Sequence, residues 1–235
     1  MTSRLTAHAL SISGRLTPCD LTFSAGSVTM LVGPNGAGKT SLLHALAGLP
    51  ESCGKVLVDG DDIHALAPVR RVRHVAFLGA SRDVRWPLSV RDFIALGLPD
   101  QSQPGHIEEV LDSLEAGELA GRRLDHLSTG ERSRVMIARA LVSRSSVLLL
   151  DEPIANLDPK WQLTILARLR SEADRGTAVI LSIHDLDLAR QHGDRVIVID
   201  KGEIVADSTP SQALSEAVIA EIFGVSRSGG RWVRA

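Results

Sequence analysis

The sequence predicts an α/β fold: a largely parallel sheet with helices on its faces, interrupted by a helical insertion. Short β-branched and Leu-rich runs alternate with longer helix-like stretches, the pattern of successive βαβ units. Between Gly79 and Ser128 the β signal disappears and only helix-like runs and loops remain. A hydrophobic fraction of 44% over 235 residues is enough for one such core with an insertion.

In chain order, strands are expected over residues 29–32, 56–58, 75–78, 147–150, 178–183 and 195–199. A last short strand is expected over 204–206, after the turn Lys201-Gly202. The main helices are expected over 39–47, 131–142 and 159–173. Inside the insertion, 90–96 and 107–114 read as helices separated by the loop PDQSQPG, rich in Pro, Gly and Gln. The tail from Ser226, SRSGGRWVRA, reads as a loosely held end.

Bulk properties exclude some functions. A formal charge of -2 gives no global attraction to nucleic acid, so no nucleic-acid partner is expected. Cys19 and Cys53 sit in neither a CxxC nor a ligand cluster, and read as two reduced thiols in a reducing cytosol. The start MTSRLTAHALSIS has no basic flank before an apolar core and is not a secretory signal. Apolar runs such as VLLL are strand-sized, whereas a membrane span needs about 20 apolar residues. If the protein acts at a membrane, a partner must hold it there.

The first chemical motif is GPNGAGKTS: Gly33, Pro34, Asn35, Gly36, Ala37, Gly38, Lys39, Thr40 and Ser41. It fits G-x-x-x-x-G-K-[ST], with an apolar strand before it and a helix-forming run after it. Glycines let backbone N–H groups turn inward around phosphate oxygens, and the helix start adds positive potential. Lys39 is placed to neutralise β- and γ-phosphate charge, and the Thr40 hydroxyl to hold Mg2+.

A second motif, VLLLDEP, ends a buried strand on two carboxylates at the carboxyl edge of the sheet, where open α/β sheets place ligands. Asp151 is expected to hold Mg2+ through water, and Glu152 to orient and polarise the attacking water. His184 follows the apolar strand TAVILSI and reaches the same edge as a donor to the γ-phosphate or the water. A third, HLSTGERSR, opens a strong helix pattern with Ser128 as a plausible N-cap. A Ser hydroxyl, a Gly amide and a helix start suit an anion, but the same residues would equally serve as a plain helix cap.

The order of GPNGAGKTS, LSTGE, VLLLDEP, ANLDP (155–159) and SIHD (182–185) resembles the nucleotide-binding subunit of ABC transporters over nearly the whole chain. The resemblance implies a P-loop NTPase (RecA-like) core with a small antiparallel β region and an inserted helical subdomain. Residues 1–79 and 132–235 would form the ATP-binding core. Residues 80–131 would form the helical subdomain, with the signature motif at its end. The implied activity is ATP hydrolysis with Mg2+, coupled to transport at the cytoplasmic face of the cell membrane, where the chain would sit peripherally. Implied partners are a second copy in a head-to-tail dimer, integral membrane permease subunits and a substrate-binding protein. Ser128, Thr129, Gly130 and Glu131 would contact a nucleotide held by the second copy, and the Asp158 loop would cross the interface. Catalysis would fall to Glu152, His184 and Lys39.

Three positions depart from the family pattern. Thr129 and Glu131 stand where the signature usually has glycine and glutamine. Ala80 stands where a glutamine usually ligates Mg2+ and links to the membrane partner. The chain has no tyrosine, and no aromatic stands at the place where the family stacks adenine.

PLSVRDFIALGLP (87–99) and ALSEAVIAEIFGV (213–225) resemble importers of metal chelates: siderophores, haem and cobalamin. The short amino-terminal region and compact helical lobe look most like the cobalamin importer's ATPase. Zinc or manganese importers and exporters are the alternatives within the family. A degenerate nucleotide-binding regulator and a soluble ABC protein are the alternatives outside transport. The basic cluster Arg70, Arg71, Arg73, with Arg82 and Arg85, reads as a solvated face or a docking surface. Trp86-Pro87 is the better docking candidate, because aromatics in loops anchor interfaces.

Overall fold

A computed structural model describes residues 2–49, 51–81, 84, 86–99, 105–229 and 231–234. Arg82, Arg85 and positions 100–104 of the expected loop lie outside the described residues. Strands β1 (Ser3–Ile12) and β2 (Leu16–Ser24) pair antiparallel. The chain then enters the central sheet as β3 (Val28–Val32) and runs through the glycine-rich loop into helix α1 (Lys39–Leu46). It returns through β4 (Ser52–Val58) and the short β5 (Asp61–Asp62) to complete an antiparallel sheet of order β2-β1-β4-β5.

Neither β1 nor β2 is foreseen among the strands read from the sequence, and β1 shows why. Leu5 and Ala7 are buried, and so are Leu10 and Ile12, so the inward alternation slips by one residue between the two pairs. The slip coincides with a register shift between Ala7 and Leu10 and with a left-handed φ of 47° at Ala9. A bulge of this kind hides a strand from any reading that asks for strict alternation. In β2, Pro18 and Asp20 break the run of strand formers before Leu21 and Phe23 turn inward.

After helix α2 (Pro68–His74) comes β6 (Val75–Leu78). Helices α3 (Val90–Ala95), α4 (Gly105–Ser113) and α5 (Thr129–Leu141) follow, with two 3-10 turns before α5. Among the described residues between Gly79 and Ser128, the β structure is an isolated bridge between Ser89 and Arg123. The chain continues through β7 (Val147–Leu150), α6 (Pro159–Asp174), β8 (Ala178–Ser182), α7 (Leu186–His192), β9 (Arg195–Asp200) and β10 (Glu203–Ser208). The central sheet has the order β10-β9-β3-β8-β7-β6. All neighbours are parallel except β10, which turns back on β9.

The parallel strands are buried on both faces, which is why they read as continuous apolar runs. Met30, Val32, Leu148, Leu150, Val179 and Leu181 face one core with α3 to α6. Leu31, Leu149, Ile180 and Ile197 face the other core, against α1 and the antiparallel sheet. Fully burying one such side chain stabilises by roughly 1.5–3 kcal/mol, so these alternating residues lock the strand ends in place.

The carboxyl end differs from expectation. Helices α8 (Pro210–Ala213) and α9 (Glu216–Phe223) lead to a hairpin of β11 (Val225–Ser228) and β12 (Arg231–Arg234), where a loosely held tail was expected. The hairpin is tied down because Arg227 pairs with Asp187 of α7 and covers the Trp232 ring at 4.6 Å.

Candidate nucleotide site

The site forms where β3, β8, β7 and β6 end side by side on one edge of the sheet. At Gly33 an added Cβ would sit 2.1 Å from the Ile199 carbonyl oxygen, so a side chain there would drive the loop off its neighbouring strand. Gly38 caps α1 with a left-handed φ of 112° and lies against the Arg15 carbonyl and Gly202. From outside, Gly202 N–H donates to the Ala37 carbonyl (2.8 Å), and Thr17 N–H donates to the Gly202 carbonyl (2.9 Å). The loop is therefore braced by the β9–β10 turn and the β1–β2 turn. It opens onto a cavity of about 620 Å3, lined by residues 35–41, Gly14, Arg15, Glu152, Lys201 and Gly202.

Lys39 is buried, with Nζ donating to the carbonyls of Gly33 (2.8 Å) and Pro34 (3.0 Å). Burial draws its ammonium below the ordinary lysine value of 10.5, and the Glu152 and Asp151 carboxylates oppose that fall. Thr40 Oγ1 donates to Asp151 Oδ2 at 2.7 Å, joining the first turn of α1 to the end of β7. Ser182 Oγ donates to the other oxygen, Asp151 Oδ1, at 2.6 Å and accepts the Glu152 N–H at 2.8 Å. Glu152 holds a left-handed φ of 49°. For a residue with a side chain this conformation costs roughly 1–3 kcal/mol and persists only where the surrounding structure offsets that cost. His184 Nε2 donates to Glu152 Oε1 at 2.6 Å. The imidazole thus meets the carboxylate rather than the wall of the cavity.

The remaining expected residues lie elsewhere. Ser128 caps α5: its hydroxyl accepts the Glu131 N–H (3.3 Å), while Glu131 Oε2 accepts the Ser128 N–H (2.8 Å). That N–H, with help from Arg122, holds the Glu131 carboxyl below its ordinary range. Thr129 takes the first helical position and Gly130 packs beside Leu157, so the expected signature adjoins the Asp158 loop. Asp158 itself caps α6 through the Trp161 N–H at 3.1 Å. None of these residues lines the cavity around the glycine-rich loop. Ala80 lies two residues past the end of β6, after Gly79, and is exposed, with a methyl group where an oxygen ligand was expected.

Sequence reasoning missed the cavity roles of Gly14 and Arg15, which sit in the turn between two unforeseen strands. It read Lys201-Gly202 only as a turn and left Ser182 unassigned, although Ser182 opens the quoted run SIHD.

A glycine-rich loop between strand and helix, with a carboxylate pair at the end of a second strand and one strand between the two, defines a P-loop nucleoside triphosphatase. The family model for ABC transporter matches residues 16–155. The hemin import ATP-binding protein HmuV of Pseudomonas entomophila (strain L48) is 40% identical over 211 residues, covering 85% of this chain and 83% of the relative. Two solved structures share the fold. A nucleotide-free ATP-binding cassette from an ABC transporter superposes with a TM-score of 0.83 at 21% identity, covering 94% of this chain and 99% of that one. A dimeric ATP-binding cassette in a post-hydrolysis state, bound to ADP and phosphate, gives 0.78 at 23% identity, covering 88% and 98%. This chain belongs to the ABC transporter family as an ATP-binding, ATP-hydrolysing subunit. Among the described residues no helix is long and apolar enough to cross a membrane.

Proposed function

We propose that the chain powers import of a metal chelate of the haem type, closing on ATP as a head-to-tail dimer beneath membrane permease subunits. The observation that carries the cargo class is the 40% identity, across most of both chains, to a protein named for hemin import. The resemblance of residues 87–99 and 213–225 to chelate importers supports the same branch. A substrate-binding protein on the far side of the membrane completes the system, with this chain peripheral on the cytoplasmic face.

The chemistry follows from the site. Residues 33–41 cradle the phosphates with inward backbone N–H groups, and Lys39 neutralises their charge. Among the described residues no cluster of three or more His, Cys, Asp or Glu could hold a metal by itself. The Thr40 hydroxyl and Asp151 carboxylate, 2.7 Å apart, suit a hard cation that also takes phosphate oxygens and water, the habit of Mg2+. Such an ion would offset the charge that develops on the phosphates. Glu152 is the carboxylate among the cavity-lining residues, so it orients water and accepts its proton as water attacks the γ-phosphorus. His184 holds that carboxylate in place.

Ser128, Thr129, Gly130, Glu131 and Asp158 lie outside the cavity of their own chain, which supports their serving a nucleotide held by the second copy. The test of cargo uses the full complex in proteoliposomes. ATP turnover should rise when the binding protein carries haem, and stay near basal with cobalamin or a ferric siderophore. Stimulation by cobalamin alone would overturn the haem reading and leave the ATPase reading intact.

A further inference from the structure

We propose that Ser182 is a positioning residue for ATP hydrolysis, one hydroxyl that sets the metal-end carboxylate of Asp151 and the backbone of Glu152 relative to each other. The proposal rests on the roles given above to Asp151 and Glu152. Ser182 ends β8 and is fully buried among the apolar residues of that strand. A buried hydroxyl is tolerated where hydrogen bonds repay its lost water, and Ser182 makes two. It donates to Asp151 Oδ1 at 2.6 Å and accepts the Glu152 N–H at 2.8 Å.

Each bond constrains a different part of the chemistry. With Oδ1 taken by Ser182, the rotation of the Asp151 carboxylate is fixed and Oδ2 is directed at Thr40. With its N–H held, Glu152 is anchored at the left-handed φ of 49° that carries its side chain to the cavity and to His184. Residues held in such conformations persist when their surroundings over-determine them, and the Ser182 hydroxyl is the side-chain contact on the Glu152 amide. Ser182 is not among the described residues that line the cavity around the glycine-rich loop. It acts through the two carboxylates that hold metal and water, so its loss should lower turnover without weakening ATP binding.

The experiment compares Ser182→Ala and Ser182→Thr with the unchanged chain. Steady-state ATPase is measured over ATP concentration, and amide hydrogen exchange at Glu152 is measured without nucleotide or metal. Ser182→Ala should lower kcat about 10- to 100-fold with KM for ATP within about twofold, the size expected when reacting groups drift by up to an ångström. The Glu152 amide should exchange faster in that variant. Ser182→Thr keeps the hydroxyl on a β-branched side chain that suits a strand, and should restore both kcat and protection. A kcat unchanged in Ser182→Ala, a parallel rise in KM, or no rescue by threonine would each overturn the proposal. Glu152→Gln is the control. If that variant still turns over, the role given to Glu152 fails; if it is inactive while Ser182→Ala is unimpaired, Ser182 alone is misassigned. Should Ser182→Ala not fold, Ser182→Cys supplies the same comparison with a weaker donor of similar size.

Discussion

Lys39 combines burial, two backbone carbonyl acceptors and two nearby carboxylates, and its ammonium sits below the ordinary value of 10.5. Bound phosphates favour the charged form, so binding raises the Lys39 pKa and takes up a proton wherever the free protein has lost it. The sign is fixed: ATP affinity should weaken as pH rises through the lowered Lys39 pKa. The window runs from about pH 8, where the nucleotide phosphate is already fully ionised, up to 10.5. Titration calorimetry across that window should show the loss in the unchanged chain. Lys39→Arg stays charged throughout and should show a flat profile. A flat profile in the unchanged chain would contradict this account of Lys39. Most residues of the site were legible in the sequence because their chemistry is written in fixed spacings. Ser182 was not, because a serine ending an apolar strand has no signature until its partners on β7 are placed beside it.

At the scale of elements, the parallel strands and the long helices were legible because burial on both faces makes continuous apolar runs and 3.6-residue periodicity persists over several turns. Of the antiparallel strands, β4 and β10 were foreseen in part, whereas β1 and β2 were not, since the bulge at Ala9 breaks the alternation of β1 and Pro18 interrupts β2. The carboxyl-terminal hairpin was hidden for another reason: all of β12 is exposed, so no apolar pattern marks it. The approach to α3 carries the element-scale prediction. Trp86 is 51% exposed and meets Phe93 edge-on at 6.2 Å, which fixes an aromatic on the surface just ahead of that helix. As an interface anchor it would contribute by filling a pocket on the permease. Trp86→Ala should therefore reduce co-purification with the membrane subunits and leave ATP affinity unchanged. Undiminished co-purification would remove Trp86 from the docking surface. Helix α2, which buries none of its residues, carries Arg70, Arg71 and Arg73 and suits the solvated reading of that cluster.

For the whole molecule, the central claim is a site completed by a second chain. The phosphate loop, Asp151, Glu152 and His184 converge on one edge of the sheet, while Ser128 to Glu131 and Asp158 lie outside the cavity that the loop lines. Departures from the family pattern at Thr129 and Ala80 do not disturb this division, because the capping box of α5 is intact and β6 still ends beside β7. Gel filtration of Glu152→Gln with and without Mg2+ and ATP tests the claim most directly, since slowed hydrolysis should trap the closed state. The account predicts an ATP-dependent shift from monomer to dimer that Ser128→Arg abolishes while ATP binding persists. A Glu152→Gln chain that binds ATP and stays monomeric, or a dimer indifferent to Ser128→Arg, would contradict it.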